Sequence, residues 1–283
     1  MRNLKEQQAV LLELLHEFDR ICKKHRIPYV MFCGSAIGAV RHNGIIPWDD
    51  DLDVSMLRND YERFLKIAPT ELNEQYYLQA EGSAHWMMNF SKLRKNNTTY
   101  LEKFHPKDKQ MHQGIYIDIF PCDNASDKEW IRKVQFYASR VALAKSLWKR
   151  GYETGSIKKK LFMGLCSILP EKPFKKISMM KNKSDSRYVQ TFLACTSRYK
   201  KGVYERVWFT ETTEIAFEDM IVPISAHYDA LLTKLYGDYM QIPSEEDRKI
   251  KEHAILIDTE RNYTEYEHYR DGMVWDVHTR NIH

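Results

Sequence analysis

The stretch FCGSAIGAVRHNGIIPWDDDLDVSM, Phe32 to Met56, decides the fold. Its acidic end predicts a strand over Asp51–Met56. On a strand alternate side chains share a face, so Asp51 and Asp53 point one way while Leu52 and Val54 point the other, into a core. Two carboxylates held that close raise each other's pKa unless a cation holds both. Magnesium, with manganese as its alternate, is the natural guest. It takes hard oxygen ligands and commonly completes its shell with phosphate oxygens and water.

The other end predicts a strand, a tight turn and a helix. Tyr29–Phe32 is a short apolar and aromatic run, Gly34 and Ser35 follow at once, and Ala36–Val40 opens a short helix. Glycine permits close approach of backbone to ligand, and the amides of a helix start attract anions, so a diphosphate could lie between Gly34, Ser35 and the acids. Arg41 and His42 close this helix, within reach of a phosphate or a nucleotide. Each half also has a plainer reading, as an ordinary turn and a solvated acidic loop. A calcium loop fails on spacing. Asp49, Asp51 and Asp53 fit its first, third and fifth positions, but Val54 stands where glycine is required and Asp60 where a bidentate glutamate is expected.

Gly114–Cys122 is the second informative segment. Ile115, Ile117 and Ile119 share one strand face, and Tyr116, Asp118 and Phe120 share the other. A carboxylate between two aromatics is costly to bury unless paired or metal-bound, which makes Asp118 a candidate third acid. An exposed face carrying a solvated acid fits the periodicity equally well.

Gly34-Ser35 followed by Asp51-Leu52-Asp53-Val54 resembles the signature of the nucleotidyltransferase superfamily, and the longer string GAVRHNGIIPWDDDLDV resembles the LicD family. GIYIDIFPCD (114–123), AFEDMIVPI (216–224) and YGDYMQIP (236–243) extend the likeness over roughly residues 1–255. The resemblance implies an α+β fold, a nucleotidyltransferase-like mixed sheet flanked by helices with a helical insertion. It implies that Asp51, Asp53 and Asp118 are both the metal ligands and the catalytic acids. Gly34, Ser35, Arg41, His42, Trp48, Asp49, Lys92, Arg248 and His253 would then bind substrate. The implied reaction moves phosphorylcholine, or a similar phospho-alcohol, from CDP-choline or another CDP-alcohol to a hydroxyl of a saccharide or lipid-linked glycan, releasing CMP. Asp49 or Asp50 could assist removal of the acceptor proton. Two rivals share the scaffold: a nucleotidyltransferase releasing pyrophosphate, and a non-catalytic ligand-binding protein. A choline head group would need an aromatic cage, for which Trp48, Trp86 and Tyr116 are candidates.

A chain of 283 residues with 43% hydrophobic and 12% aromatic content can bury a substantial core. A net charge of +4 does not reach a nucleic-acid footprint. Five cysteines with no close pair indicate neither a disulfide framework nor a zinc site, and no secretory signal opens the chain. The expected location is the cytoplasm, or the inner face of the membrane.

In chain order, Leu4, Leu11, Leu15, Phe18 and Cys22 predict a packing helix that Pro28 breaks. Asn59 would cap a helix stopped by Pro69, and strands are expected at Tyr76–Gln79, Met87–Leu93 and Thr98–Leu101. Lys92 and Arg94, at alternate positions of one strand, would face either a phosphate or solvent. A capping box formed by Ser126 and Glu129 would open a long helix. Residues Lys158–Lys160, LFMGLCSILP and KPFKK combine basic and apolar character, fitting either peripheral contact with an anionic membrane or a core helix with solvated lysines at its ends. The expected organisation is a catalytic core (1–125), a helical subdomain (126–200), a return segment (201–260) and a polar tail (261–283).

Overall fold

The computed structural model describes residues 4–102, 106–180, 186–194, 198–250, 254–268 and 274–276. Helix α1 (Leu4–His25) buries Leu11, Leu14, Leu15, Phe18, Ile21 and Cys22, the stripe its periodicity called for. Lys23, Lys24 and His25 sit in its last turn, at the negative end of the helix dipole. The chain then forms β1 (Val30–Met31), α2 (Cys33–His42), β2 (Asp53–Leu57) and α3 (Arg58–Glu71). Four strands follow: β3 (Tyr76–Gln79), β4 (Ser91–Lys95), β5 (Thr99–Glu102) and the long β6 (Tyr116–Ala125).

The main sheet runs β1-β2-β6-β4-β3, with β2 and β6 parallel and the other pairs antiparallel. It is a mixed sheet flanked by helices, and the fold is α+β. Register aligns Asp53 with Asp118, Asp118 with Lys92, and Lys92 with Gln79. One polar row therefore crosses four strands. Ile117 and Ile119 of β6 pack into the core beneath α1 and α3, whereas Phe120 and Cys122 join a second core with Phe32, Trp86, Tyr204 and Phe209.

Helices α4 (Glu129–Arg150), α5 (Ile157–Ile168) and α6 (Glu171–Met179) interrupt the sheet. The chain returns through β7 (Tyr188–Gln190), which pairs with the far end of β6, and β8 (Val203–Glu205). A one-turn helix α7 (Val207–Thr210), the hairpin β9 (Thr212–Phe217) and β10 (Met220–Ser225), α8 (Tyr228–Tyr236) and α9 (Glu245–Ile250) come next. Strand β11 (Ala254–Asp258) pairs with β5, and β12 (Tyr266–His268) with β13 (Val274–Asp276).

Several local expectations are corrected. Gly34 and Ser35 are not a turn before the helix but lie in its first turn, since α2 begins at Cys33 with Phe32 as its cap. α3 starts at Arg58, before Asn59, with Leu57 as its N-cap, and the Arg58 guanidinium makes a buried pairing with Asp123 and Glu81. Pro69 lies inside its final turn, where the missing N–H removes a single bond. Met87–Phe90 is not strand: the Trp86 indole donates to the Phe90 carbonyl and curls the segment. Ser126 does not form the capping box. The N-cap is Lys128, whose N–H donates to Ser126 Oγ.

Candidate functional site

The start of α2, the start of β2 and the loop between them surround a cavity of 350 Å³ lined by Gly34, Arg41, Trp48, Asp49, Asp51 and Asp53. Its far wall comes from Tyr236, Asp238, Tyr239, Gln241 and Pro243, the YGDYMQIP segment. The acidic loop is held by its backbone. Gln7 donates to the Asp50 carbonyl at 2.6 Å, and Gln8 donates to those of Ile46 and Asp49 at 3.1 and 3.0 Å. The Asp53 N–H donates to Ser35 Oγ at 2.7 Å, tying the helix start to the strand start. Ser35 is buried, and this bond is what its hydroxyl does here.

A Cβ at Gly34 would stand 2.9 Å from Asp49 Oδ2, so a larger residue there would push that carboxylate aside. The turn after α2 is fixed similarly. The Glu218 carboxylate accepts the Ile45 N–H at 2.8 Å and fills the space a side chain at Gly44 would need.

Asp49, Asp50 and Asp51 each place a carboxylate oxygen within 4.8 Å of the others. The set is all-oxygen and anionic, with Asp53 on the same cavity wall, and it fits a hard divalent cation. This tight trio differs from the expected set of Asp51, Asp53 and Asp118. Asp118 stands beside Asp53 in register, but its Oδ1 pairs with Lys92 Nζ at 2.9 Å. Burial raises the Asp118 pKa, and Lys92 opposes that shift. Burial also brings Lys92 down to about 8, against the pull of Asp118 and Glu102.

Lys92 and Arg94 are both buried, not solvated. Arg94 donates to Gln79 at 2.7 Å and to the Gly114 carbonyl at 2.6 Å. From Lys92 a charge chain continues to Glu102 at 3.9 Å and on to Arg150, which donates to Glu102 at 2.6 Å from the end of α4.

Arg41 donates to the carbonyls of Tyr239 and Gln241 at 2.7 and 3.2 Å, pinning the far wall. It also donates to His42 Nε2 at 2.9 Å. Burial and this neighbour lower the His42 pKa, and the ring packs edge-on against Trp48. Arg248 lies 4.0 Å from the Trp48 ring centre. His253 lies outside the described residues.

All three cage candidates present a face to one of the protein's own cations. Arg248 covers Trp48, Arg150 stands 5.1 Å from Trp86, and Lys92 stands 3.1 Å from the Tyr116 centre. The aromatics that line the cavity are Trp48, Tyr236 and Tyr239.

Gln7, Gln8, Glu102 and Arg150 carry no signal that singles them out. Glutamines on an amphipathic helix read as surface, and both are identified only by the loop they grip. Glu218 and Tyr236–Gln241 did carry one, because they fall in the 216–224 and 236–243 segments.

A mixed sheet with an acid-lined cleft beside a parallel strand pair is the architecture that the resemblance to nucleotidyltransferase-type enzymes implies. The family model described as LicD/FKTN/FKRP, nucleotidyltransferase domain, matches residues 26–168, half of the chain, and the chain belongs to this family. It is 29% identical over 256 residues to the lipopolysaccharide cholinephosphotransferase LicD of Haemophilus influenzae, covering 87% of this chain and 94% of that protein. Uncharacterized proteins of Rickettsia typhi and Rickettsia prowazekii are each 39% identical over shorter segments, 23% and 21% of this chain and 22% of each relative. Among the described residues no helix is long and apolar enough to cross a membrane.

Proposed function

We propose that this chain transfers phosphorylcholine, or a similar phospho-alcohol, from a CDP-activated donor to a hydroxyl of a lipopolysaccharide-type glycan, releasing CMP. The observation that carries this reading is the convergence of Asp49, Asp51 and Asp53 on a cavity beside Gly34 at the start of α2, with the Asp50 carboxylate close to those of Asp49 and Asp51. Asp51 and Asp53, with Asp118 in register behind them, would hold magnesium or manganese. Bound there, the ion would neutralise phosphate charge during an in-line displacement.

The remaining roles fall to this chain's own side chains. The positive end of the ten-residue α2 favours a phosphate beside Gly34. Arg41 and Arg248 add positive charge on the Trp48 side of the cavity. Asp49 or Asp50 accepts the proton of the acceptor hydroxyl. A quaternary ammonium would meet Tyr236 and Tyr239, with Asp238 between them. A nucleotide-activated donor places the reaction in the cytoplasm, at the inner face of the membrane if the glycan is lipid-linked.

Thermal shift with CDP-choline, CDP-ethanolamine, CDP-ribitol and CTP, each with and without magnesium, tests donor and metal together. CDP-choline with magnesium is expected to stabilise most. Stabilisation by CTP alone, with none by the CDP-alcohols, would overturn the reading in favour of nucleotidyl transfer.

A further inference from the structure

Helix α5 is packed on one side only. Met163 and Cys166 bury against Val141, Ala144 and Trp148 of α4. On its outer side, Ile157, Leu161, Leu165 and Ile168 are spaced by four, four and three residues and form a single stripe. Their exposures are 76%, 64%, 66% and 81%. Such a continuous apolar stripe on a protein surface marks a contact. The alternative of a core helix, left open by the sequence, is excluded by these exposures.

The charge around the stripe identifies the partner. Residues 157–179 contain six lysines and a single acid, Glu171. Lys158 and Lys160 flank the stripe in the first turn, and Lys172 and Lys176 of α6 are exposed nearby in the chain. A second copy of the chain on this face would set lysine against lysine. A bilayer bearing anionic headgroups meets both features at once, taking the leucines into its acyl boundary and the lysines at its phosphates.

We propose that α5 is an interfacial membrane-docking helix that binds anionic lipid through its Ile157–Leu161–Leu165–Ile168 stripe and flanking lysines. This does not rest on the reaction proposed above, because the docking face and the cavity share no residue.

Co-sedimentation of the full chain with vesicles tests it. Mixed phosphatidylethanolamine and phosphatidylglycerol vesicles should bind the protein, with binding that weakens as salt rises. Neutral phosphatidylcholine vesicles should bind roughly tenfold more weakly. The double variant Leu161→Glu/Leu165→Glu should abolish binding while keeping the wild-type melting curve, since both side chains are exposed. Lys158→Gln/Lys160→Gln should weaken binding roughly tenfold. Equal binding to both vesicle types, or unchanged binding by the leucine variant, would overturn the proposal. So would light scattering that shows a dimer dissociated by Leu165→Glu.

Discussion

Asp53 and Asp118 are neighbours in register on parallel strands, yet they live in different surroundings. Asp53 lines the cavity at the start of β2, while Asp118, next along the row and as buried as Asp53, is answered by Lys92 from β4. The contrast teaches that register brings acids together and the next strand decides how each is held. A carboxylate on the cavity wall can be reached by a ligand, whereas one facing a buried ammonium is already partly neutralised. The row is best seen as a graded site, open at Asp53 and locked from Asp118 onward through Glu102 and Arg150 to α4.

The largest expected effect separates the two acids by readout. Asp53→Asn should cut turnover by a factor of roughly a thousand or more, with stability near wild type. Asp118→Asn should also lose turnover, but with lowered stability, because the buried Lys92 loses its nearer anion and keeps only Glu102 at 3.9 Å. Steady-state assays alongside urea unfolding check both, and equal stability of the two variants would break the contrast.

Removing the lysine probes the locked end. Lys92→Met strands a buried carboxylate and should cost about 3 kcal/mol in urea unfolding, part of it recovered in Lys92→Met/Asp118→Asn. Additive losses in the double variant would show that the two groups do not act as a pair.

Next to this end lies a group whose protonation the fold rejects. His112 accepts the Gly114 N–H at its Nδ1 and meets Asn96 Oδ1 through Nε2, a pattern that suits a neutral ring. Burial and then Arg94 lower its pKa from 6.5 to about 3. As pH falls below 6.5 the unfolded chain binds this proton first, so stability drops through that window. The loss should reach ~3 kcal/mol by roughly pH 4. His112→Asn should flatten the profile between those limits, as measured by unfolding at stepped pH.

The smallest effect is expected at the hinge between α2 and β2. Ser35→Ala leaves the buried Asp53 N–H without its acceptor and should cost about 1 kcal/mol. It should lower turnover more than this figure alone implies, because Asp53 is then free to shift. Comparing kcat with melting temperature in one variant checks the point.

The sequence made the central sheet legible because β2 and β6 alternate cleanly. Leu52 and Val54 went to the core, and so did Ile117 and Ile119. Asp51 and Asp53 do both line the cavity, but Asp51 does so from the loop, because β2 begins at Asp53 and not at Asp51 as the alternation predicted. The burial of Lys92 and Arg94 was not, because periodicity places a side chain on a face without saying what covers that face. Lys92 is covered by Tyr116 and Trp86, and Arg94 by Gln79 and Gly114. The grip of Gln7 and Gln8 on the acidic loop was hidden for another reason, being a contact between segments about forty residues apart. The exposed stripe of α5 was readable as amphipathic, but which side packs depends on where α4 lies.

The most direct test of the central claim is phosphorus NMR of purified protein incubated with CDP-choline, magnesium and lipopolysaccharide. The account predicts CMP together with a new glycan-linked phosphodiester, both absent with Asp53→Asn. Pyrophosphate released from CTP with CDP-choline left intact, or a product unchanged in Asp53→Asn, would contradict it.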